Sequence, residues 1–205
     1  MLKRTYTILV AAFLVLGTLN TFSQSISIGV GGGLTQVTGA KEYITEVMYG
    51  GKDFVSEYNF GAMGKIDIPL IPITPRVFAL YHKFTGNGLI SAARVKYSQS
   101  ILSLGVGASY SFIPIPTGTD PYIALDVMYN SYGDFTTTKN GNETKVPKDS
   151  RTGIGVGIGA EITILPIVNL DVSASYRVFN LIGKEDGEKT LSAINLDVFV
   201  MFSLL

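Results

Sequence analysis

One histidine and no cysteine limit the chemistry that this 205-residue chain can carry. The histidine, His82, sits between Lys83 and Phe84. A serine nucleophile needs an imidazole base within reach. No serine lies in the same segment, so His82 reads as a structural side chain rather than a base. Glu161 and Asp171 are a carboxylate pair of the kind that serves acid–base catalysis. Lys65 and Arg177 fall on the same polar pattern, and a charge network is the simpler reading. A transition-metal site would need carboxylates for most of its ligands. Asp120, Asp134 and Asp149 could meet calcium, but they lack EF-hand spacing. The run Gly153-Ile-Gly-Val-Gly-Ile-Gly159 superficially resembles a phosphate-binding loop, yet it alternates strictly and no helix follows. No cofactor is expected. With 16 basic and 16 acidic residues and no basic stripe, nucleic acid is not an expected partner.

These residues belong to a repeating pattern of two. From Thr152 to Thr163, Thr152, Ile154, Val156, Ile158, Ala160 and Ile162 alternate with Gly153, Gly155, Gly157, Gly159, Glu161 and Thr163. A period of two marks a strand with two different environments. Eight segments carry this character, at 25–35, 56–68, 76–84, 97–113, 121–131, 152–164, 167–179 and 191–204. In the third, Val77, Ala79 and Tyr81 could face either way. The stretch 97–119 is uncharged and long enough to span a bilayer as a helix. Pro114 and Pro116, and the spacing of Leu102, Leu104, Val106, Ala108, Tyr110 and Phe112, make it a strand instead.

The connections are of two kinds that alternate along the chain. Those after the second, fourth and sixth segments are short and marked by Pro69, Pro72, Pro75, Pro114, Pro116, Pro121 and Pro166. The others, at about 36–55, 85–96, 132–151 and 180–190, are polar and mostly longer. In an up-and-down sheet, one end is therefore trim and the other carries long polar loops. Outgoing strands end alike in Ile66-Asp-Ile-Pro69, Ser111-Phe-Ile-Pro114 and Thr163-Ile-Leu-Pro166, which suggests one hairpin unit used three times.

At the N-terminus, Lys3 and Arg4 precede an apolar run from Ile8 to Leu19, and Thr21 and Ser23 are small residues before Gln24. This is the layout of a secretory signal peptide over residues 1–23, leaving 24–205 as one mature domain.

An exported protein of this pattern directs its apolar face to a dry core or to lipid. Lipid fits better. The opposite face carries glycines, Ser103, Ser109, Ser111, Ser173 and Ser175, and the charges Lys65, Asp67, Asp126, Glu161, Asp171, Arg177 and Asp197. A dry core tolerates such charges only when they are paired. A narrow barrel lumen permits both pairing and water. Tyr58, Phe60, Tyr110, Phe112, Tyr129, Tyr176 and Phe202 lie on the apolar face toward strand ends, where a membrane barrel places its interfacial aromatics. Strands crossing hydrocarbon must close into a ring, and eight is the smallest usual number.

On this strand count, loop alternation and export signal, the chain from Gln24 to Leu205 resembles the small eight-stranded outer-membrane β-barrel proteins of the OmpX/OmpA type. The resemblance implies an all-β, antiparallel up-and-down transmembrane barrel in the cell outer membrane of a Gram-negative bacterium. It further implies periplasmic termini and turns, external loops, and insertion by the barrel-assembly machinery. The family's last strand usually ends in an aromatic residue, whereas this chain ends Phe202-Ser-Leu-Leu205.

Three functions follow. The first is a monomeric, non-enzymatic scaffold in outer-membrane lipid, displaying loops 36–55 and 132–150 to an external partner, with Tyr43, Tyr49, Phe54 and Phe135 as contact aromatics. The second is a lipid-modifying enzyme using His82. The third is a secreted soluble barrel or sandwich that binds a hydrophobic ligand inside. The direction of the Ile/Val/Leu face separates the third from the others.

Overall fold

A computed structural model describes residues 25–39, 52–54, 57–68, 71–90, 93–112, 118–147, 149–184, 186, 188 and 190–204. The expected signal peptide lies outside them, as do Tyr43 and Tyr49. The described residues form β1 (Ser25–Gly39), β2 (Lys52–Phe54), β3 (Glu57–Asp67), β4 (Ile73–Ile90), β5 (Ala93–Ser111), β6 (Thr119–Tyr132), β7 (Phe135–Lys139), β8 (Asn142–Val146), β9 (Arg151–Leu165), β10 (Val168–Ile182) and β11 (Ser192–Leu204).

Eight of these, β1, β3, β4, β5, β6, β9, β10 and β11, pair antiparallel with their chain neighbours, and β11 returns to β1 to close the ring. A walk through paired residues runs Ser27, Lys65, Arg76, Gly107, Asp126, Gly155, Arg177, Ala193 and back to β1 at Val37, ten residues further along. That stagger requires strands tilted by roughly 35–45° to the barrel axis. Closure also gives every barrel strand two neighbours, so no sheet edge is left open in the wall.

The apolar face points outward. Ile154, Val172 and Val198 are 39%, 38% and 44% exposed, whereas Asp171 is fully enclosed. The branched aliphatic residues therefore form the outer wall, not a ligand-holding interior. The seven aromatics expected at the interface all lie on this wall. Tyr58, Phe60, Tyr129 and Tyr176 sit toward the loop end, joined by Tyr81, whose ring lies 5.3 Å from that of Phe60. Tyr110, Phe112 and Phe202 lie toward the turn end.

Three expectations need correction. The third barrel strand begins at Ile73, not at 76, because Pro75 is accommodated where β4 pairs only with β5. The expected loop at 85–96 is largely strand, since β4 and β5 stay paired out to Ile90↔Ala93. The expected loop at 132–151 contains the β7–β8 hairpin, turned at Asn140 and Gly141, which both have positive φ. Asn-Gly between strand-like residues is the sequence signal for that turn.

The interior also holds more bulk than its serines and glycines suggested. Phe78, Leu80, Phe84, Ile101, Met128, Phe179, Phe199 and Met201 are buried inside the ring. Glycine makes the room: a Cβ on Gly105 would collide with the Phe78 ring, and one on Gly31 would lie 2.7 Å from Phe199 Cγ.

Ile158, 64% exposed and midway along β9, tests the direction of the wall. Ile158→Arg is expected to destabilise the lipid-embedded barrel by about 2–4 kcal/mol in denaturant unfolding, with Ile158→Val nearly neutral. Equal stability of the two variants would contradict the assignment of this face to lipid.

Candidate functional site

The polar residues collect in the lumen, because the inward parity of each strand brings them there and the ring is too narrow to keep them apart. Near the turn end, Lys65 of β3 donates to Glu161 Oε2 at 2.8 Å and to Asp171. The Tyr122 hydroxyl donates to the other oxygen of Asp171 at 2.8 Å, and the Lys65 ammonium lies 5.1 Å from the Tyr122 ring centre. Asn169 donates to Glu161 Oε1 at 2.6 Å. One ammonium thus holds two carboxylates that face each other across β9 and β10.

Midway along the barrel, Arg76 of β4 grips Asp126 of β6 with two bonds, Nε at 2.8 Å and Nη2 at 2.6 Å. The strand between them contributes Gly107, which is paired with both residues. A Cβ there would overlap Asp126 Oδ1, so the fork reaches its partner only over a glycine. The same device recurs at Gly33, paired with Asn59 and Asp197. Asn59 donates across it to Asp197 at 2.7 Å. Arg177 completes this group with a 3.1 Å bond to Asp197.

His82 lies fully buried above these pairs. Its Nδ1 is 3.3 Å from Thr35 Oγ1, and its ring packs edge-on against Phe179 at 5.1 Å and stacks with Phe84 at 6.1 Å. Thr35 in turn donates to Asn195 at 2.7 Å. This setting gives His82 no access to a substrate. At the loop end, Arg151 binds Glu188 at 2.9 Å and 3.1 Å, and Asn180 donates to the same carboxylate at 2.6 Å.

Six of the seven charges expected in the lumen are thus in ion pairs: Lys65 with Glu161 and Asp171, Arg177 with Asp197, and Asp126 with Arg76. The seventh, Asp67, accepts hydrogen bonds from Ser25 at 3.2 Å and Thr74 at 2.9 Å near the turn-end mouth. Asp120 accepts from Ser111 at 2.8 Å, while Asp134 and Asp149 are exposed in connections. Among the described residues, no group of three His, Cys, Asp or Glu is placed to hold a metal ion. Sequence reasoning missed Arg76 and Tyr122. Arg76 was hidden by strand β4, whose two faces are both apolar. A basic residue in register with Lys65, one glycine away from Asp126, was the available signal.

The charges join facing strands across the ring, and at the turn end Lys65, Asp67, Asp120, Tyr122 and Glu161 line a polar cavity of about 300 Å³. Toward the loop end, Phe84, Ile101, Met128 and Phe179 pack inside the ring beyond the ion pairs.

Solved structures with the same fold include bacterial outer membrane proteins. Neisserial surface protein A is 15% identical, with 87% of this chain and 95% of that one covered at a TM-score of 0.53. The outer membrane protein OprG from Pseudomonas aeruginosa is 12% identical, with 89% and 97% covered at 0.55. A major outer membrane protein from Thermus thermophilus is 10% identical, with 89% and 100% covered at 0.57. No protein-family model and no curated protein matches the sequence. The chain has the fold of the small eight-stranded outer-membrane barrels.

Breaking the Arg76–Asp126 pair from one side leaves a buried charge. Asp126→Asn is expected to cost about 3–5 kcal/mol of barrel stability, and Arg76→Met with Asp126→Leu to recover most of that. Gly107→Val, which removes no charge, should lose a similar amount by wedging the pair apart. Normal urea midpoints for Gly107→Val would refute the glycine-bridge geometry.

Proposed function

We propose that this protein is an integral outer-membrane barrel that works as a closed, monomeric, non-enzymatic scaffold. On this reading, its loop end faces outside the cell. The observation that carries the reading is the pairing of an apolar, aromatic-belted outer wall with a lumen filled by ion pairs and packed side chains. Such a wall suits hydrocarbon. Such a lumen is blocked at mid-depth by ion pairs and rings, with a polar cavity of about 300 Å³ left at the turn end. The fold shared with a Neisserial surface protein and with outer membrane proteins supports the location.

What remains for interaction is the loop end. The β7–β8 hairpin projects there, and Asn142–Val146 are exposed throughout. Phe135 is not among the contact groups, because it is buried and stacks on Tyr97 at 6.1 Å between centroids. Phe54 belongs to β2, which pairs with β4 at Gly86. External contact is thus assigned to the polar hairpin tip around Asn140-Gly141 and to segment 36–55. Insertion would proceed through the assembly machinery, with β11 and its outward Phe202 as the terminal strand.

Full-length protein expressed in a Gram-negative host should fractionate with the outer membrane and change gel mobility on boiling. A peptide tag inserted at Asn140-Gly141 should be labelled on intact cells, and a tag at Pro166 only after permeabilisation. Recovery of the folded protein in a soluble fraction would overturn the proposal. His82→Ala should leave the host's lipid masses and the gel shift unchanged; a loss of modified lipid in that variant would establish an enzyme instead.

A further inference from the structure

Beyond the aromatic belt, β4 and β5 continue upward, and β7 and β8 extend them sideways into a sheet that is not part of the ring. Its outer face continues the lipid-facing face without a break. On β4 the outward series is Val77, Ala79, Tyr81, Lys83 and Thr85; on β5 it is Leu104, Leu102, Ser100, Ser98 and Lys96. Lys83 stands two residues above Tyr81, which is about 5 Å higher for a tilted strand. The face therefore passes from aliphatic through aromatic to basic and hydroxylic over the depth where hydrocarbon gives way to headgroups.

Register gathers the basic groups. One cross-strand row runs Thr85, Ser98, Thr136 and Lys145, and the next runs Lys96, Thr138 and Glu143. Together with Lys83 they line a cleft of about 600 Å³. Lys83, Lys96 and Lys145 form no ion pair among the described residues, and the single carboxylate, Glu143, leaves the cleft with a net charge of two. Elsewhere in the barrel, inward cations are matched with carboxylates, so unmatched cations on this face stand out.

We infer that this cleft binds the phosphate-bearing headgroups of the membrane leaflet into which the sheet projects, holding anionic lipid against the barrel wall. The inference rests on the membrane reading above and adds to it a ligand class and a location. Charge complementarity supports it, since each lysine near a membrane surface favours anionic lipid and the hydroxyls can donate to phosphate oxygens. Continuity with the wall supports it too: the cleft opens sideways toward lipid, where a soluble anion has no advantage.

The test uses the full mature protein in nanodiscs of phosphatidylcholine containing a minor fraction of phosphatidylglycerol, with lipid retained after mild delipidation read by native mass spectrometry. Wild type should retain phosphatidylglycerol selectively. Each of Lys83→Gln, Lys96→Gln and Lys145→Gln should lower that selectivity about fivefold, and the triple variant by more than about tenfold. Lys139→Gln, on the opposite face of β7, and Lys184→Gln, in the β10–β11 connection, should leave it unchanged. The proposal fails if the triple variant matches wild type, or if the control variants lose as much. It also fails if inorganic phosphate at constant ionic strength displaces the lipid, which would make a soluble anion the ligand. Protein that never enters the discs would refute the membrane reading itself, an outcome visible by gel shift before any lipid is weighed.

Discussion

A backbone surrounded by hydrocarbon finds no hydrogen-bond partner outside itself, and that constraint organises this molecule. It forbids a free edge, so eight strands must close. Eight strands with a stagger of ten residues enclose an interior only as wide as a few side chains. Small residues must then stand wherever a large one crosses, which is why Gly105 faces Phe78 and Gly107 lies beneath the Arg76–Asp126 fork. The glycines are a consequence of closure and have nothing to do with binding phosphate.

Filling the lumen with charges needs its own explanation, since buried ion pairs seldom add net stability over apolar residues of equal volume. Here their geometry fits one register. Arg76 meets Asp126 only when Gly107 is opposite both, and Asn59 meets Asp197 only when Gly33 is. A slip of one residue on β3, β4, β6 or β11 would turn an ion into lipid and an aliphatic side chain into the lumen. The penalty for an isolated charge in hydrocarbon thus acts against wrong pairings more than it favours the right one.

Much of this was legible from alternation alone. Strands β1, β6, β9, β10 and β11 have one apolar and one polar face, and their inward charges and outward aromatics follow from parity. Strand β4 was obscure because Phe78, Leu80 and Phe84 make its inward face as apolar as its outward one. Parity cannot be read when both environments accept the same residues, so Arg76 went unseen. The extended hairpins were obscured for the opposite reason. Lys83, Thr85, Lys96 and Ser98 are polar on a strand that has left the hydrocarbon, and polar residues between apolar runs look like loop. Tertiary pairing, with β7 added beside β5, keeps them extended.

The plugged interior has a consequence for how this fold can act at all. With ion pairs at mid-depth and a cluster of Phe84, Phe179 and Ile101 above them, the contacts that keep the ring in register also occupy its axis. The outer surface is the part free to vary, and its upper third differs most from the requirements of closure. There the sheet leaves the ring, β4 and β5 stay paired with each other while β5 takes β7 as its other neighbour, and the outward residues change from what hydrocarbon demands to what headgroups and water permit. Selection on function has room at that boundary, because substitutions there neither open an edge nor unpair a buried charge.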